Sequence, residues 1–101
     1  MKVSIITVVR NAVATIQDTI RSVASQNHKN IEHIIIDGAS TDGTLDLIGK
    51  HHDKLSCVLS EPDSGIYDAM NKGIQVATGD FLGFLNSDFQ TLDDRFAVIE
   101  G

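Results

Sequence analysis

Polar side chains follow four apolar runs of this sequence, each at the point where a run ends. These ends are Arg10-Asn11, Asp37-Gly38, Glu61-Pro62-Asp63-Ser64-Gly65 and Asn86-Ser87-Asp88. Three of them carry carboxylates, which repel one another unless a cation, a hydrogen-bond donor or a sugar hydroxyl compensates their charge. A divalent metal carrying a diphosphate would do so, because Mg²⁺ and Mn²⁺ prefer oxygen ligands and need few protein carboxylates beside substrate phosphates. Asp88 alone suffices for that role.

The other polar residues at the same ends suit a nucleoside and a sugar. Asn86 and Ser87 can hydrogen-bond sugar hydroxyls, and Asp37 can accept a bond from the N–H of a base. Competing motifs are missing, because the sequence has no Gly-x-x-x-x-Gly-Lys, no spaced glycines of a dinucleotide fingerprint and no histidines or cysteines at zinc spacing. The residues therefore predict a nucleotide-sugar site.

The apolar runs are the predicted strands that must bring these residues together. The first two are nearly continuous β-branched stretches, which is typical of strands buried on both faces. The predicted strands are Val3–Val9, Ile31–Asp37, Leu55–Leu59 and Phe81–Asn86.

Segments of helical period separate the predicted strands. Asn11 precedes the first helix as a possible N-cap, and the second helix begins near Ser40 to Asp42, whose side chains suit capping. The third helix runs from about Ile66 to Ala77 and is predicted to end at Gly79. The residues predicted to face the core are Val13, Ile16, Ile20, Val23 and Ala24 in the first helix, and Ile66, Met70, Gly73, Ile74 and Ala77 in the third.

This alternation predicts an α/β fold in one domain, residues 1–101, with a three-layer α/β/α arrangement around a mainly parallel sheet. In such sheets, ligands bind beyond the carboxyl ends of the strands, which is where the polar residues lie. After the last predicted strand, Leu92 to Gly101 suits a short helix with Leu92, Phe96 and Ile99 on one side.

Composition and charge exclude several classes of partner. The 101 residues include 14 acidic and 8 basic side chains, for a formal net charge of −6, and the few cations do not cluster. Nucleic acid and anionic membrane surfaces are therefore not expected partners. No apolar run is long enough for a transmembrane helix, and the single cysteine, Cys57, fits a reducing compartment, so we expect a cytoplasmic protein.

Three stretches resemble, in order and spacing, the nucleotide-binding half of family 2 glycosyltransferases with the GT-A fold. They are SIITVVRNA, IEHIIIDGASTDGT and SEPDSGIYDAMNKGIQVATGDFLGFLNSD, which together cover nearly the whole chain. They look most similar to bacterial members that build polysaccharides. The resemblance implies strand order 3-2-1-4, binding of a nucleotide-diphosphate sugar, in particular a UDP-sugar, and transfer to a saccharide or lipid-linked acceptor.

The resemblance also implies which residues surround the base. The backbone at Val8 and Val9 borders the base together with the side chain of Arg10, where the family often has an aromatic residue. Asp37 matches the aspartate that holds the base, and Asp63 matches an acidic position beside the nucleotide. Structural roles compete with these, because Asp37 could cap the turn after its strand and Asp63 could serve the turn after a proline.

Asn71 and Lys72 are a further pair of implied nucleotide contacts. They lie in a segment that in similar family 2 glycosyltransferases often reads Ala-Arg-Asn-x-Gly. Met70 stands in place of its arginine. The competing interpretation is that Lys72 forms an ordinary surface ion pair with Asp68 at i,i+4, and that Tyr67, which shares a face with Asn71, shields the edge of the core.

The implied metal site lies at the last strand end. Asn86-Ser87-Asp88 matches the Asp-x-Asp motif of the family, in which the first residue faces the ribose and the last carboxylate coordinates Mg²⁺ or Mn²⁺. Phe89 stands where a second acidic residue often follows that motif. This departure predicts a reduced affinity for the metal.

The resemblance leaves the transfer step incomplete. A general base must deprotonate the acceptor hydroxyl, and in similar enzymes it comes from the second half of the domain, so no catalytic residue is assigned. We expect a truncated donor-binding half that binds the donor at most; the alternative is a small non-catalytic nucleotide-binding or assembly protein of the same fold. With strand order 3-2-1-4, the Phe81–Asn86 strand would be an uncovered apolar edge, which predicts a homo-oligomer through that edge.

Overall fold

A computed structural model describes residues 2–26, 30–62, 64–85 and 97–100 of the chain. The βαβαβαβ alternation predicted from the sequence is confirmed, and one more strand follows it. In chain order the elements are β1 (Val3–Val9), α1 (Ile16–Ala24), β2 (Ile31–Asp37), α2 (Thr44–Lys50), a 3₁₀ turn (His52–Lys54), β3 (Cys57–Ser60), α3 (Ile66–Val76), β4 (Phe81–Phe84) and β5 (Ala97–Glu100).

The strands form one sheet in the order β3-β2-β1-β4-β5, and its first four members are parallel. The predicted order 3-2-1-4 is therefore confirmed. In the register of the sheet, Val9 lies opposite Asp37, and Asp37 lies opposite Ser60. Three strands thus end in one row, and the loops that follow them meet at one edge, which we call the carboxyl edge.

The prediction of a helix at the end of the chain is wrong for Ala97–Glu100, which form β5 antiparallel to β4. Val98 and Ile99 are β-branched and favour a strand, and the ladder of β4 supplies hydrogen-bond partners that outweigh a weak helical spacing. The prediction that Phe81–Asn86 forms an uncovered edge is also wrong, because β4 lies between β1 and β5. Oligomerisation through that edge loses its physical basis.

The core lies on both faces of the sheet, as expected for strands buried on both sides. On one face, Val9 and Ile35 pack with Ile16 and Ile20 of α1 and Ile48 of α2. On the other face, a second apolar cluster packs beneath α3, and its buried members are Ile6, Ile34, Ile36 and Ala69. Successive residues of β1 and β2 thus face opposite layers of the fold.

The third helix approaches the sheet through small residues. Ala69 and Gly73 are buried, whereas Ile74, predicted to face the core, is 42% exposed. A Cβ at Gly73 would lie 2.5 Å from Cγ2 of Ile6, so the close contact with β1 requires glycine. The face of α3 that packs on the sheet is therefore shifted from the face predicted from the sequence.

Helix α1 differs from its prediction at its first turn. Val13 precedes the helix and is 41% exposed, and the N-cap is Thr15 rather than Asn11. The buried residues of α1 are Ile16, Thr19, Ile20 and Val23. Among the described helices, none is long and apolar enough to cross a membrane.

Side chains and backbone N–H groups at the amino ends of the strands form a hydrogen-bonded network that we call the amino-end clasp. It is made of Lys2, Ser4, Glu32, Thr78 and Gly79. Glu32 accepts hydrogen bonds from the Ser4 hydroxyl at 2.6 Å and from the N–H and hydroxyl of Thr78, both at 2.9 Å. The Lys2 ammonium lies 3.5 Å from the same carboxylate. Gly79, predicted to cap α3, instead donates its N–H to the Ser4 hydroxyl at 2.8 Å.

Candidate functional site

Asp37 is the centre of the carboxyl edge. It is fully buried, and its carboxylate accepts the Ser40 N–H at Oδ2 (2.9 Å), the Ser40 hydroxyl at Oδ1 (2.5 Å) and the Ser60 hydroxyl at Oδ2 (2.8 Å). The register places Ser60 beside Asp37, and the turn after β2 brings Ser40 back to it. The turn-capping role considered for Asp37 is therefore confirmed. Because a carboxylate has about four acceptor positions, one remains at Oδ1.

The loop after β1 is joined to the loop after β2. The Asn11 N–H donates to the Ser40 hydroxyl at 2.8 Å, and the Asn11 side-chain oxygen accepts the Thr41 N–H at 2.8 Å. Asn11 and Ala39 adopt left-handed backbone conformations, with φ of 52° and 60°. For alanine, this conformation costs roughly 1 kcal/mol, so the joined loops hold Ala39 in a strained geometry.

Asp42 connects the starts of α1 and α2. Its Oδ1 accepts the hydroxyl and the N–H of Thr44, and its Oδ2 accepts the Val13 N–H at 3.2 Å. These hydrogen bonds, that of the Thr44 hydroxyl above all, lower the pKa of Asp42. Asp42 thus accepts the N–H of the first residue of α2, but the N-cap itself is Gly43, in a left-handed conformation, and not one of the predicted Ser40, Thr41 and Asp42. The Ser40 hydroxyl serves Asp37 instead.

Lys72 is held by the segment that follows β3. Its ammonium lies 3.0 Å from Glu61 Oε1 and 3.4 Å from Asp68 Oδ2, and it donates to the Pro62 carbonyl at 3.1 Å. The hydrogen bond to Glu61, followed by that to Asp68, raises the pKa of Lys72. Asp68 Oδ2 also accepts the Ser64 N–H at 3.0 Å, which is the main cause of its lowered pKa. The predicted i,i+4 ion pair is confirmed, and Glu61 extends it.

Known proteins share the sequence and the fold of this chain. The family model for glycosyl transferase family 2 matches residues 4–99. The chain belongs to this family. The fold of the described residues is correspondingly that of GT-A glycosyltransferases, and the resemblance noted in the three sequence stretches is confirmed.

Relatives of this family 2 glycosyltransferase chain include an uncharacterized glycosyltransferase of Mycobacterium tuberculosis, Rv1514c, which is 44% identical over 96 residues. That alignment covers 94% of this chain and 35% of the relative. The Escherichia coli protein WfaP, a UDP-Glc:alpha-D-GlcNAc-diphosphoundecaprenol beta-1,3-glucosyltransferase, is 41% identical over 87 residues, covering 85% of this chain and 35% of WfaP. The chain therefore spans about a third of the length of these relatives.

Solved structures agree with this assignment. The crystal structure of S. aureus TarS in complex with UDP-GlcNAc superposes with a TM-score of 0.79 at 30% sequence identity. The superposition covers 87% of this chain and 27% of the TarS chain. The sheet and helices described above are thus a recurrent part of larger glycosyltransferases.

The residues predicted to surround the donor occupy different environments in this family 2 chain. Val9 is buried in the core, and its carbonyl accepts the Gly38 N–H at 2.9 Å, while Val8 is half-buried and Arg10 is exposed at the carboxyl edge. Asn71 is exposed on α3. Tyr67 is 79% exposed, so the prediction that it shields the core is wrong.

The remaining predicted residues, Asp63, Asn86, Ser87 and Asp88, lie outside the described residues. In the part of the chain that the structure describes, no three histidine, cysteine, aspartate or glutamate side chains come together as a metal site. The structure therefore brings Arg10 and Asp37 to one edge and leaves the predicted metal ligand, Asp88, untested.

Sequence reasoning missed the partners of the predicted residues. Ser40 and Ser60 hold Asp37, and Glu61 holds Lys72. For Ser60, a signal exists: it ends the strand next to β2, so a parallel register could have placed it beside Asp37. No comparable sequence spacing joins Glu61 to Lys72, because their contact depends on how α3 crosses the sheet.

Proposed function

We propose that this part of a family 2 glycosyltransferase binds the nucleoside diphosphate of a UDP-sugar at the carboxyl edge. The observation that carries the proposal is the position of Asp37, a carboxylate at the tip of a central strand with an acceptor position left at Oδ1. Because Asp37 is fully buried, a base N–H would reach Oδ1 only if the Ser40 hydroxyl moved aside from it. Uracil, with one ring N–H between two carbonyl groups, suits a single acceptor.

The relatives support a UDP-sugar as donor. WfaP carries UDP-Glc and a diphosphoundecaprenol-linked sugar in its name, and TarS was crystallised with UDP-GlcNAc. By analogy, we assign the whole protein to transfer of a sugar from UDP to a saccharide or lipid-linked acceptor in polysaccharide biosynthesis. Residues 1–101 would then form its donor-binding domain. The free Cys57 fits a cytoplasmic location for this chemistry.

Individual residues have the following roles in this proposal. The backbone at Val8 and Val9 and the exposed Arg10 border the base, and a guanidinium can stack on it. Asp63, Asn71, Asn86 and Ser87 are assigned to the nucleotide and its sugar by resemblance, and Asp88 to Mg²⁺ or Mn²⁺. When bound, the metal would stabilise the departing diphosphate.

Calorimetric titration of UDP with and without Mn²⁺ tests the proposal. The wild type should bind UDP, and Mn²⁺ should strengthen binding; in Asp88→Ala the strengthening should disappear. Asp46→Asn, which alters an exposed carboxylate on α2, is the matched control and should behave as the wild type. A wild type that binds no UDP in the presence of Mn²⁺ would overturn the nucleotide assignment, and an unchanged response to Mn²⁺ in Asp88→Ala would overturn the metal assignment.

A further inference from the structure

The ammonium group of Lys72 has no donor left for a phosphate. Its acceptors are Glu61 Oε1 at 3.0 Å, the Pro62 carbonyl at 3.1 Å and Asp68 Oδ2 at 3.4 Å. A lysine ammonium offers one N–H for each of these three acceptors.

The charges around Lys72 also disfavour a diphosphate. One positive ammonium lies between two carboxylates, so the group Lys72, Glu61 and Asp68 is net negative. An approaching diphosphate would be repelled by the carboxylates or would have to displace one of them from the lysine. Compensation of the phosphate charge must come from another cation.

Glu61 connects Lys72 to the centre of the carboxyl edge. Its side chain binds Lys72, while its backbone N–H donates to the Asp37 carbonyl at 3.0 Å. The preceding residue, Ser60, donates its hydroxyl to the Asp37 carboxylate at 2.8 Å. A change at Lys72 therefore reaches Asp37 through two consecutive residues of one short segment.

We propose that Lys72 is a positioning residue for the nucleoside end of the donor site. It fixes Glu61 and thereby Ser60, so that the Asp37 carboxylate keeps one orientation towards a base, and it makes no contact with the diphosphate. The inference rests on the proposed function in that the nucleoside is taken to bind at Asp37. It differs from the role implied by the sequence resemblance, in which Lys72 is itself a nucleotide contact.

Titration of uridine and of UDP separates the two roles. In Lys72→Met the affinities for uridine and UDP should fall by the same factor, about fivefold, because both ligands contain the nucleoside. Lys50→Met removes an exposed lysine at the end of α2 and should change neither affinity. A loss for UDP that is at least tenfold larger than the loss for uridine, or no loss for either, would overturn the proposal.

A double-mutant cycle tests whether the effect passes through Glu61. Glu61→Ala removes the carboxylate but keeps the backbone N–H, and it should weaken uridine binding by the same factor as Lys72→Met. The double variant should be no weaker than either single variant, because both changes break one connection. Losses that multiply in the double variant would show that Lys72 acts by another route.

Amide hydrogen exchange tests the contact independently of any nucleotide. Lys72→Met should accelerate exchange at Glu61 and Ser64, whose N–H groups bond to Asp37 and Asp68, and should leave Gly79 at the amino-end clasp unchanged. Unchanged exchange at Glu61 and Ser64 would overturn the positioning role. A wild type that binds neither uridine nor UDP, together with accelerated exchange in the variant, would overturn the proposed function and restrict Lys72 to shaping the loop.

Discussion

The two ends of strand β2 each hold a carboxylate, and their surroundings differ in charge. At the amino-end clasp, Glu32 accepts bonds from Ser4 and Thr78 and has the Lys2 ammonium nearby. At the carboxyl edge, Asp37 accepts bonds only from neutral serine groups, and no ion pair to it occurs within the described residues. The clasp therefore pairs its carboxylate with a cation, whereas the carboxylate at the carboxyl edge is held by neutral donors.

The two ends of the sheet also differ in backbone strain. The two non-glycine residues with left-handed conformations in the described chain, Asn11 and Ala39, both lie at the carboxyl edge. Strained backbone is commonly kept where a ligand benefits from a preorganised geometry. We therefore expect Glu32 to contribute to stability alone and Asp37 to contribute to stability and, under the proposed function, to binding, and variants at each end can test that division.

The largest combined effect on stability and on UDP affinity is expected at Asp37. In Asp37→Asn, the new amide nitrogen faces a donor from Ser40 or Ser60, which should lower the free energy of unfolding by about 2–3 kcal/mol. UDP affinity should fall more than tenfold because the acceptor for the base is impaired. Urea unfolding and calorimetric titration measure the two quantities. Loss of stability without loss of UDP affinity would reduce Asp37 to a structural residue.

Between the two carboxylates, His33 should make stability depend on pH. Burial lowers the pKa of His33 to about 4 from its ordinary 6.5, and its Nε2 lies 2.8 Å from the Thr7 hydroxyl. The unfolded chain therefore binds a proton at His33 more readily than the folded chain does. As a result, the contribution of neutral His33 to the free energy of unfolding is complete above pH 6.5 and is lost as the pH falls towards 4.

The expected loss from His33 is about 3 kcal/mol over that range. Urea unfolding at several pH values should show it, superimposed on the titration of the carboxylates. His33→Gln removes the titrating group and should make the free energy of unfolding depend less on pH between pH 6.5 and 4. Parallel slopes for the wild type and the variant would contradict the assignment.

A smaller effect is expected at Glu32. Burial by itself raises the pKa of Glu32, but the hydrogen bonds from Ser4 and Thr78 outweigh it and lower the pKa below its ordinary value. Glu32→Gln should therefore cost about 1 kcal/mol near neutral pH, and the difference should shrink as the pH falls through the folded pKa. UDP affinity should be unchanged. A change in UDP affinity would break the division between the two ends.

The smallest effect is expected at Ala39. Glycine tolerates the φ of 60° found there, so Ala39→Gly should raise the free energy of unfolding by about 0.5 kcal/mol after the greater freedom of the unfolded chain is deducted. Ala24→Gly, on the exposed end of α1, should instead be destabilising. Thermal unfolding of both variants provides the test, and equal destabilisation would show that Ala39 is not strained.

The sequence predicted most of the sheet because its signal is local. The bounds of β1 and β2 were predicted to the residue, since each is a nearly continuous β-branched stretch. β5 was missed because its four residues become a strand only when β4 offers them a ladder. The face of α3 was shifted because Gly73, not a large apolar residue, makes its closest approach to the sheet.

The site was predictable only in part for a similar reason. Asp37 was identified because a carboxylate directly follows an apolar strand, which is visible in the sequence alone. Its partners Ser40 and Ser60, and the contact of Glu61 with Lys72, depend on register and on helix crossing, which sequence periodicity does not contain. Partners of functional residues are thus harder to predict than the residues themselves.

The separation of contacts along the chain gives the two ends different places in the order of folding. At the carboxyl edge, the bonds of Asn11 to Ser40 and Thr41 join residues 29 and 30 positions apart, within a single β1-α1-β2 unit and its following loop. The clasp joins Lys2 to Thr78, 76 positions apart. Because closing longer loops costs more entropy, we expect the carboxyl edge to assemble early and the clasp to close last. Pulsed hydrogen exchange during refolding should show protection at Thr41 before Gly79.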